Sequence, residues 1–291
     1  MLGKINIIFG CTSSGKTSYG VDLAKKLNGE VINADSMQIY HELPIITGQP
    51  TGQEKQGVQH HLYGYKSVFE PYSVAKFIND VVPVIDLIRG SGKTPILVGG
   101  TGMYLKSLVE GMAMFPEITK EVDNEVQALV DILTSAQLHS CLKNLDPISA
   151  AKIDPSNLPK ITRAFKVFLQ CGQSIEVWRS GGNKSHFARE DFHIIWLNPG
   201  RELVYNKINQ RLLQFIENGA IDEIAKLLRV SNNFNYPKAH GLPEIIRYLR
   251  GDITSNEMVA KSQQITRNYA KRQLTWARHQ FKFDQVITEG F

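Results

Sequence analysis

Lys4-Ile5-Asn6-Ile7-Ile8-Phe9-Gly10-Cys11-Thr12-Ser13-Ser14-Gly15-Lys16-Thr17 is the stretch that decides the fold. Lys4 to Phe9 reads as a buried strand, and Thr17 to Leu27 reads as a helix that ends near Asn28-Gly29. Between them, Gly10 to Thr17 matches G-x-x-x-x-G-K-[ST] in full. The glycines let the backbone turn tightly, so successive N–H groups point inward, and the helix that follows directs its positive end at the same point. Lys16 adds a mobile charge, and the Thr17 hydroxyl can ligate Mg²⁺. Gly10, Cys11, Thr12, Ser13, Ser14, Gly15, Lys16 and Thr17 therefore form a phosphate or diphosphate site. The loop does not say which reaction follows, and a nucleotide-consuming reaction is the default rival. Ser91-Gly92-Lys93-Thr94 repeats the GK[ST] ending, but Leu87 stands where the first glycine is needed and a strand follows. We read it as a turn.

Outward from the loop, Glu30 to Asn33 reads as a second short strand, followed by about forty irregular residues rich in Gly, Gln, Pro and His. Ser73 can cap a helix running toward Arg89, with a bend expected at Pro83. Pro95 to Val98 is a third strand closed by Gly99-Gly100, and Thr101 to Glu110 is a helix. Glu117 to Ser180 is helical, and Asp191 to Leu197 is a strand that returns to the sheet. After Gly200 we expect only helices, apart from a polar loop at Ser231 to Pro237. Strands alternating with helices imply right-handed crossovers and a parallel sheet. The expected fold is α/β, a P-loop NTPase-like parallel sheet core flanked by helices, with an all-helical insertion domain. The core takes residues 1–115 and 191–291, and the insertion takes residues 116–190.

Composition limits the partners. The 291 residues are 42% hydrophobic, enough for a sizeable core, and no run reaches the ~18–20 apolar residues of a membrane helix. Met1 to Phe9 lacks the basic segment and cleavage site of a signal peptide. Cys11, Cys141 and Cys171 lie far apart, which argues against a disulfide framework or a zinc site and fits a cytoplasmic protein. Net charge is +5, and its distribution matters more than its size. Lys261, Arg267, Lys271, Arg272, Arg278 and Lys282 fall in a segment without an acidic residue. Such a cluster is either the footprint of a polyanion or a solvated helix face.

Asp35, after the second strand, should sit near the phosphate loop, because the carboxyl ends of parallel strands gather the loops that meet ligand. It can ligate Mg²⁺, act as a general base or cap the next turn. In Gly99-Gly100-Thr101-Gly102 the glycines permit close backbone approach and the Thr101 hydroxyl can donate or accept; an N-cap role is the plainer alternative. His60-His61 has no Cys or carboxylate at ligand spacing and reads as loop structure or substrate contact.

The phosphate loop, Asn33 to Tyr40 (NADSMQIY), Gln59 to Tyr65 (QHHLYGY), Leu97 to Gly111 (LVGGTGMYLKSLVEG) and Ile265 to Arg278 (ITRNYAKRQLTWAR) together resemble the bacterial tRNA dimethylallyltransferases, in the right order over nearly the whole chain. The resemblance implies that the loop holds dimethylallyl diphosphate and that the acceptor is N6 of the adenosine 3′ of the anticodon in tRNA. It implies Mg²⁺ as the metal, for which Thr17 and Asp35 both stay open as protein ligands, and the anticodon stem-loop of tRNA as the partner; we expect the chain to act as a monomer. Asp35 then matches the family's general base, Thr101 a residue at the substrate interface, and Lys16 a group that stabilises the leaving diphosphate. The implied tRNA contacts are Asp35, Ser36, Met37, Gln38, Thr101, Asp123, Pro159, Lys160, Ile161, Thr162, Arg163, Lys271, Arg272, Gln273 and Arg278. Trp276 is read as a core side chain before a base-stacking one.

Three positions depart from the family pattern. Cys11 replaces Pro, Pro159 replaces a polar residue, and Gly241-Leu242-Pro243 replaces a Gly-Tyr pair followed by a basic residue. A small-molecule kinase and a prenyltransferase acting on free adenine nucleotides share the loop and are the alternatives. The first would need an arginine-bearing lid, and the second would need neither the insertion nor the basic C-terminal helix.

Overall fold

The structure is a computed structural model that describes residues 1, 3–113, 115–231, 237 and 239–289. Most of the polar loop expected at 231–237 lies outside the described residues. Two compact units divide the chain: residues 1–109 with 187–291, and residues 110–186.

The first unit is built on a parallel sheet with the order β3-β2-β4-β1-β5-β6. The strands are β1 (Ile5–Gly10), β2 (Gly29–Asn33), β3 (His60–His61), β4 (Thr94–Gly99), β5 (Phe192–Leu197) and β6 (Gln285–Ile287). Every residue of β1 and β4 is buried, as expected for central strands covered on both faces. The unit's helices are α1 (Lys16–Leu27), α2 (Gly52–Lys55), α3 (Val74–Gly90) and α4 (Gly102–Glu110). The helices α5 to α9 belong to the second unit. The first unit then resumes with α10 (Arg201–Glu217), α11 (Ala220–Val230), α12 (Leu242–Leu249) and α13 (Ser255–Gln280). Ser73 caps α3 by accepting from the Lys76 N–H, and α3 continues past Pro83. The Ser91–Thr94 segment is the turn into β4, and its Lys93 pairs with Glu30 at 2.6 Å.

Two expectations are corrected. The segment after Gly200 is not wholly helical, because β6 adds an edge strand beside β5. Its three residues are too short for a period-two pattern to register. The forty residues after β2 also carry more order than their composition suggests. Leu43 and Ile46 are buried in one cluster with Ile224, Leu242 and Ile245. Glu223 on α11 accepts from the Ile45 and Ile46 N–H groups at 2.7 and 2.9 Å. Gln38 is buried and donates to the Thr47 and Gly48 carbonyls at 3.2 and 2.7 Å. The Gln38 amide donors are thus consumed inside the loop, which removes them as the tRNA-facing group expected at that position.

The second unit is all-helical: α5 (Lys120–Ile132), α6 (Ser135–Leu145), α7 (Pro147–Ala150), α8 (Leu158–Cys171) and α9 (Ile175–Ser180). Side-chain caps at Thr119, Thr134, Asp146, Asn157 and Ser174 start the helices, satisfying N–H groups that have no partner inside the helix. Its core contains Val126, Leu138, Leu142, Ile161, Phe165 and Ile175. Ile161 is fully buried there, so its side chain belongs to the core; a helical segment necessarily turns some residues inward. Pro159, Lys160 and Arg163 are exposed, and Thr162 is half-buried. The Arg163 guanidinium lies 5.2 Å from the Phe115 ring centroid, and Asp123 pairs with Lys166. Ile161→Ala should destabilise this unit by about 2–4 kcal/mol, measured by urea titration with a probe on the insertion. A loss under about 1 kcal/mol would mean that Ile161 is not core.

Candidate active site at the carboxyl ends of β1, β2 and β4

The register of the sheet brings three loops together. Phe9 lies beside Gly99, and Asn33 lies beside Val98. The Ala34 N–H donates to the Val98 carbonyl at 2.9 Å, and the Thr101 N–H donates to the Ala34 carbonyl at 3.3 Å. The phosphate loop, Asp35 and Thr101 therefore share one end of the sheet, where such folds place ligand.

Gly15 stands at φ +87°, a left-handed conformation that starts α1 and that a side chain would strain. Ser13 is also left-handed at φ 60°, and the Ser14 N–H closes a turn onto the Cys11 carbonyl at 3.2 Å. The loop residues Ser13, Ser14, Gly15, Lys16 and Thr17 line a cavity of about 340 Å³, whose far wall includes Glu54, Lys207 and Arg211. Lys16 is buried, and its ammonium donates to the Cys11 carbonyl at 3.2 Å. Burial lowers its pKa from the ordinary lysine value, opposed by the charge of Asp35 and reinforced by Arg211. Arg211, on α10, donates to the Gly48 carbonyl at 3.1 Å and lies 5.0 Å from the Phe215 ring centroid. Burial lowers its pKa too, against the pull of Glu54 and Asp35. Neither cation forms an ion pair with a described residue. Two largely desolvated cations without an anion of their own make a site for a multiply charged anion.

Asp35 divides its two oxygens between the roles left open by the sequence. Oδ1 accepts from the Met37 N–H at 3.0 Å, which holds the turn. Oδ2 accepts nothing from a described residue, and Asp35 lines a second, smaller cavity of about 70 Å³. Thr101 reaches this turn from the side: its hydroxyl accepts from the Ser36 N–H at 2.9 Å and donates to Ser36 Oγ at 3.2 Å. The smaller cavity is walled by apolar Met37, Ile46, Ile208, Leu212, Phe215 and Ala239. His240 and Tyr269 close it, with ring centroids 4.0 Å apart. Burial, and then the charge of Arg272, push His240 down to about 4, so it is neutral near pH 7. Ser13 and Arg211 line both cavities, so an anion pocket opens onto a small apolar pocket beside a carboxylate.

Sequence reasoning missed Arg211, but a signal was present. Val204, Ile208 and Leu212 recur at helical spacing on α10, and Arg211 falls on the same stripe, where apolar side chains are expected.

Three comparisons bear on this arrangement. A family model described as IPP transferase matches residues 38–280. The chain belongs to the tRNA dimethylallyltransferase (IPP transferase) family. It is 40% identical over 280 residues to a tRNA dimethylallyltransferase of Rickettsia bellii, covering 96% of this chain and 89% of that one. Among solved structures, the family's tRNA isopentenylpyrophosphate transferase from Bacillus halodurans is 34% identical. It superposes with a TM-score of 0.71 over 99% of this chain and 91% of that one. A eukaryotic dimethylallyltransferase acting on tRNA superposes with a TM-score of 0.81 at 28% identity, over 94% of this chain and 69% of that one.

On α13, the family segment Lys271 to Arg278 splits between two faces. Lys271, Arg272 and Arg278 are exposed. Gln273 is buried against the phosphate loop; adjacent helix positions point about 100° apart, so one segment cannot present all its side chains outward. Arg267 donates to Asn209 Oδ1 at 2.6 Å and is half-buried, so it does not belong to the free basic face. Trp276 packs on Phe9 and Phe281, with centroids at 5.9 and 5.8 Å, as a core side chain. His61 bonds Glu30 at 2.6 Å, and His60 bonds the Val58 carbonyl at 2.9 Å, so both histidines serve loop structure. No helix among the described residues is long and apolar enough to cross a membrane.

Arg211→Met should weaken the binding of inorganic pyrophosphate by about 2–3 kcal/mol, measured by calorimetry; unchanged affinity would remove Arg211 from the anion site. A pH dependence follows from Lys16. Its pKa is lowered in the free protein and is raised again by a bound anion, so affinity should fall as pH climbs through the lowered value. Titration between about pH 7 and about pH 10 should show this decline in the parent protein and its loss in Lys16→Met.

Proposed function

We propose that this chain transfers the dimethylallyl group of dimethylallyl diphosphate to N6 of the adenosine 3′ of the anticodon in tRNA and releases diphosphate. The observation that carries this reading is the junction of the anion cavity with the apolar cavity at Ser13 and Arg211, beside Asp35. A donor with a diphosphate head and a short apolar tail fits that shape, with its reactive carbon at the junction.

The chemistry follows from the groups present. The bond from the allylic carbon to the diphosphate oxygen breaks, and the bond from that carbon to N6 forms. Lys16, Arg211 and the inward-facing loop amides stabilise the charge that grows on the leaving diphosphate. The adenine amine is a weak nucleophile because its lone pair is delocalised into the ring. Its proton passes to Asp35 as the new bond forms, and Oδ2 is the oxygen available for it. Thr101 holds Ser36 and so orients the Asp35 turn. The acceptor base must leave its stack to reach the site, beside Ser36 and Met37.

Mg²⁺ fits the donor set. No cluster of three His, Cys, Asp or Glu is found among the described residues, and the Thr17 hydroxyl, which lines the anion cavity, is engaged by no described residue. A hard ion that keeps most of its waters and is held by Thr17 and diphosphate oxygens suits such a site. When bound, it adds further charge stabilisation of the diphosphate.

The exposed Lys271, Arg272 and Arg278 of α13 are the phosphate contacts for tRNA on the first unit. Pro159, Lys160, Thr162 and Arg163 are the contacts on the second. The working form is a cytoplasmic monomer with its tRNA. No observation in the site favours the kinase or free-nucleotide alternatives.

The direct test is transfer of label from radiolabelled dimethylallyl diphosphate to unmodified tRNA with Mg²⁺, with ATP hydrolysis followed in parallel. Label in tRNA without ATP consumption is the expected result; ATP consumption without transfer would replace this reading with a nucleotide-consuming one. Asp35→Asn should bind tRNA almost normally and lose about 10²–10⁴ in kcat, and a variant with near-normal turnover would exclude Asp35 as the base. Lys271→Ala should reduce the salt slope of tRNA binding by about one unit or less; an unchanged slope would make α13's basic face merely solvated.

A further inference from the structure

We propose that Gln273 is a positioning residue for the reaction: from the middle of α13 it holds the Cys11–Thr12 peptide in the orientation that presents Lys16 to the diphosphate. The inference rests on the diphosphate reading above.

Gln273 is 6% exposed and uses both ends of its amide. Oε1 accepts from the Thr12 N–H at 2.9 Å, and Nε2 donates to the Gly100 carbonyl at 2.9 Å. One side chain thereby bridges the loops that leave β1 and β4. Gly100 is matched to this contact, because a Cβ there would collide with Gln273 Nε2.

The Cys11 carbonyl and the Thr12 N–H belong to the same planar peptide unit, which turns as a rigid plate. Its N–H is held by Gln273, and its carbonyl receives the Lys16 ammonium at 3.2 Å. Fixing one edge of the plate fixes the other. Were the Thr12 N–H to swing toward the phosphates, the carbonyl would swing away and leave the buried ammonium without its only hydrogen-bond partner among the described residues. Together with the Ser14 N–H, which donates to the same Cys11 carbonyl at 3.2 Å, Gln273 therefore makes the Thr12 amide structural and keeps Lys16 at the anion cavity. Its second bond reaches the residue before Thr101, whose hydroxyl holds Ser36 beside Asp35. The leaving-group side and the proton-accepting side of the site are tied to one amide. Trp276, one turn along α13, packs on Phe9 and covers Gly102, which keeps the helix in register with both loops.

Two variants test this. Gln273→Met keeps length and loses both hydrogen bonds. It should raise KM for dimethylallyl diphosphate, and weaken inorganic pyrophosphate binding by calorimetry, about ten- to hundredfold. KM for tRNA should change little. Gln273→Glu can accept from Thr12 in either protonation state but donates to Gly100 only when neutral, the form that burial favours. Its pyrophosphate affinity relative to the parent protein should rise toward one as pH falls from about 8.5 to about 6. A residue that merely fills space would lower the melting temperature of both variants and leave the diphosphate KM of Gln273→Met unchanged; that pattern overturns the proposal. If the parent protein binds pyrophosphate and Gln273→Met matches it, the Gln273 inference alone fails. If the parent protein does not bind pyrophosphate, the diphosphate reading fails and takes this inference with it.

Discussion

The arrangement of this molecule depends on holding positive charge away from water without giving it an anion. Lys16 and Arg211 are both shifted toward their neutral forms by burial, and neither is ion-paired with a described residue. Desolvating an ion costs several kcal/mol unless it is compensated, so the fold must supply partial compensation that a ligand can replace. It does so with carbonyls: Cys11 for Lys16 and Gly48 for Arg211. Carbonyl dipoles tolerate a cation without neutralising it. Asp35 contributes at longer range, near enough to raise the Lys16 pKa, while one of its own oxygens stays open to the second cavity.

That requirement explains why so much of the chain is spent on supporting loops. The loop carrying Gly48 is held by buried Leu43 and Ile46, by the Glu223 carboxylate and by the Gln38 amide. The phosphate loop is held by Gln273, and the Asp35 turn by Thr101. Glu223, Gln273 and Thr101 lie far in sequence from the backbone they support, each placed by the packed core. Loops positioned by a rigid scaffold can keep strained or unsatisfied groups ready for a ligand. The left-handed Ser13 is an instance within the phosphate loop itself.

The helix α13 shows how one segment can carry two tasks. Its inward stripe, including Gln273 and Trp276, contacts the phosphate loop and β1, whereas Lys271, Arg272 and Arg278 face outward. Read as a linear motif, KRQLTWAR merges these tasks; on a helix of 3.6 residues per turn they separate. The same separation turns Ile161 of α8 into the core and leaves Pro159, Lys160 and Arg163 exposed.

Local signals were sufficient for much of this. The phosphate loop was legible because its chemistry is contiguous: the glycines, Lys16, Thr17, the strand before and the helix after all act within a few residues of one another. The parallel sheet followed from alternating strands and helices, and the cap at Ser73 from short-range hydrogen bonding. The edge strand β6 was too short to leave a pattern, and the order in residues 35–50 is imposed by packing against α11 and α12, which no local window contains. Arg211, the division of Asp35 between turn and cavity, and the clamp from Gln273 to Thr12 and Gly100 depend on pairs up to 261 positions apart. The sequence by itself therefore determined the phosphate loop, the layered α/β class and the family. Only the tertiary structure decided which cations face the anion, which oxygen of Asp35 is free and which polar residues of α13 point inward. Hydrogen bonding and desolvation act on distance in space, and distance in space is set only when the whole core is packed.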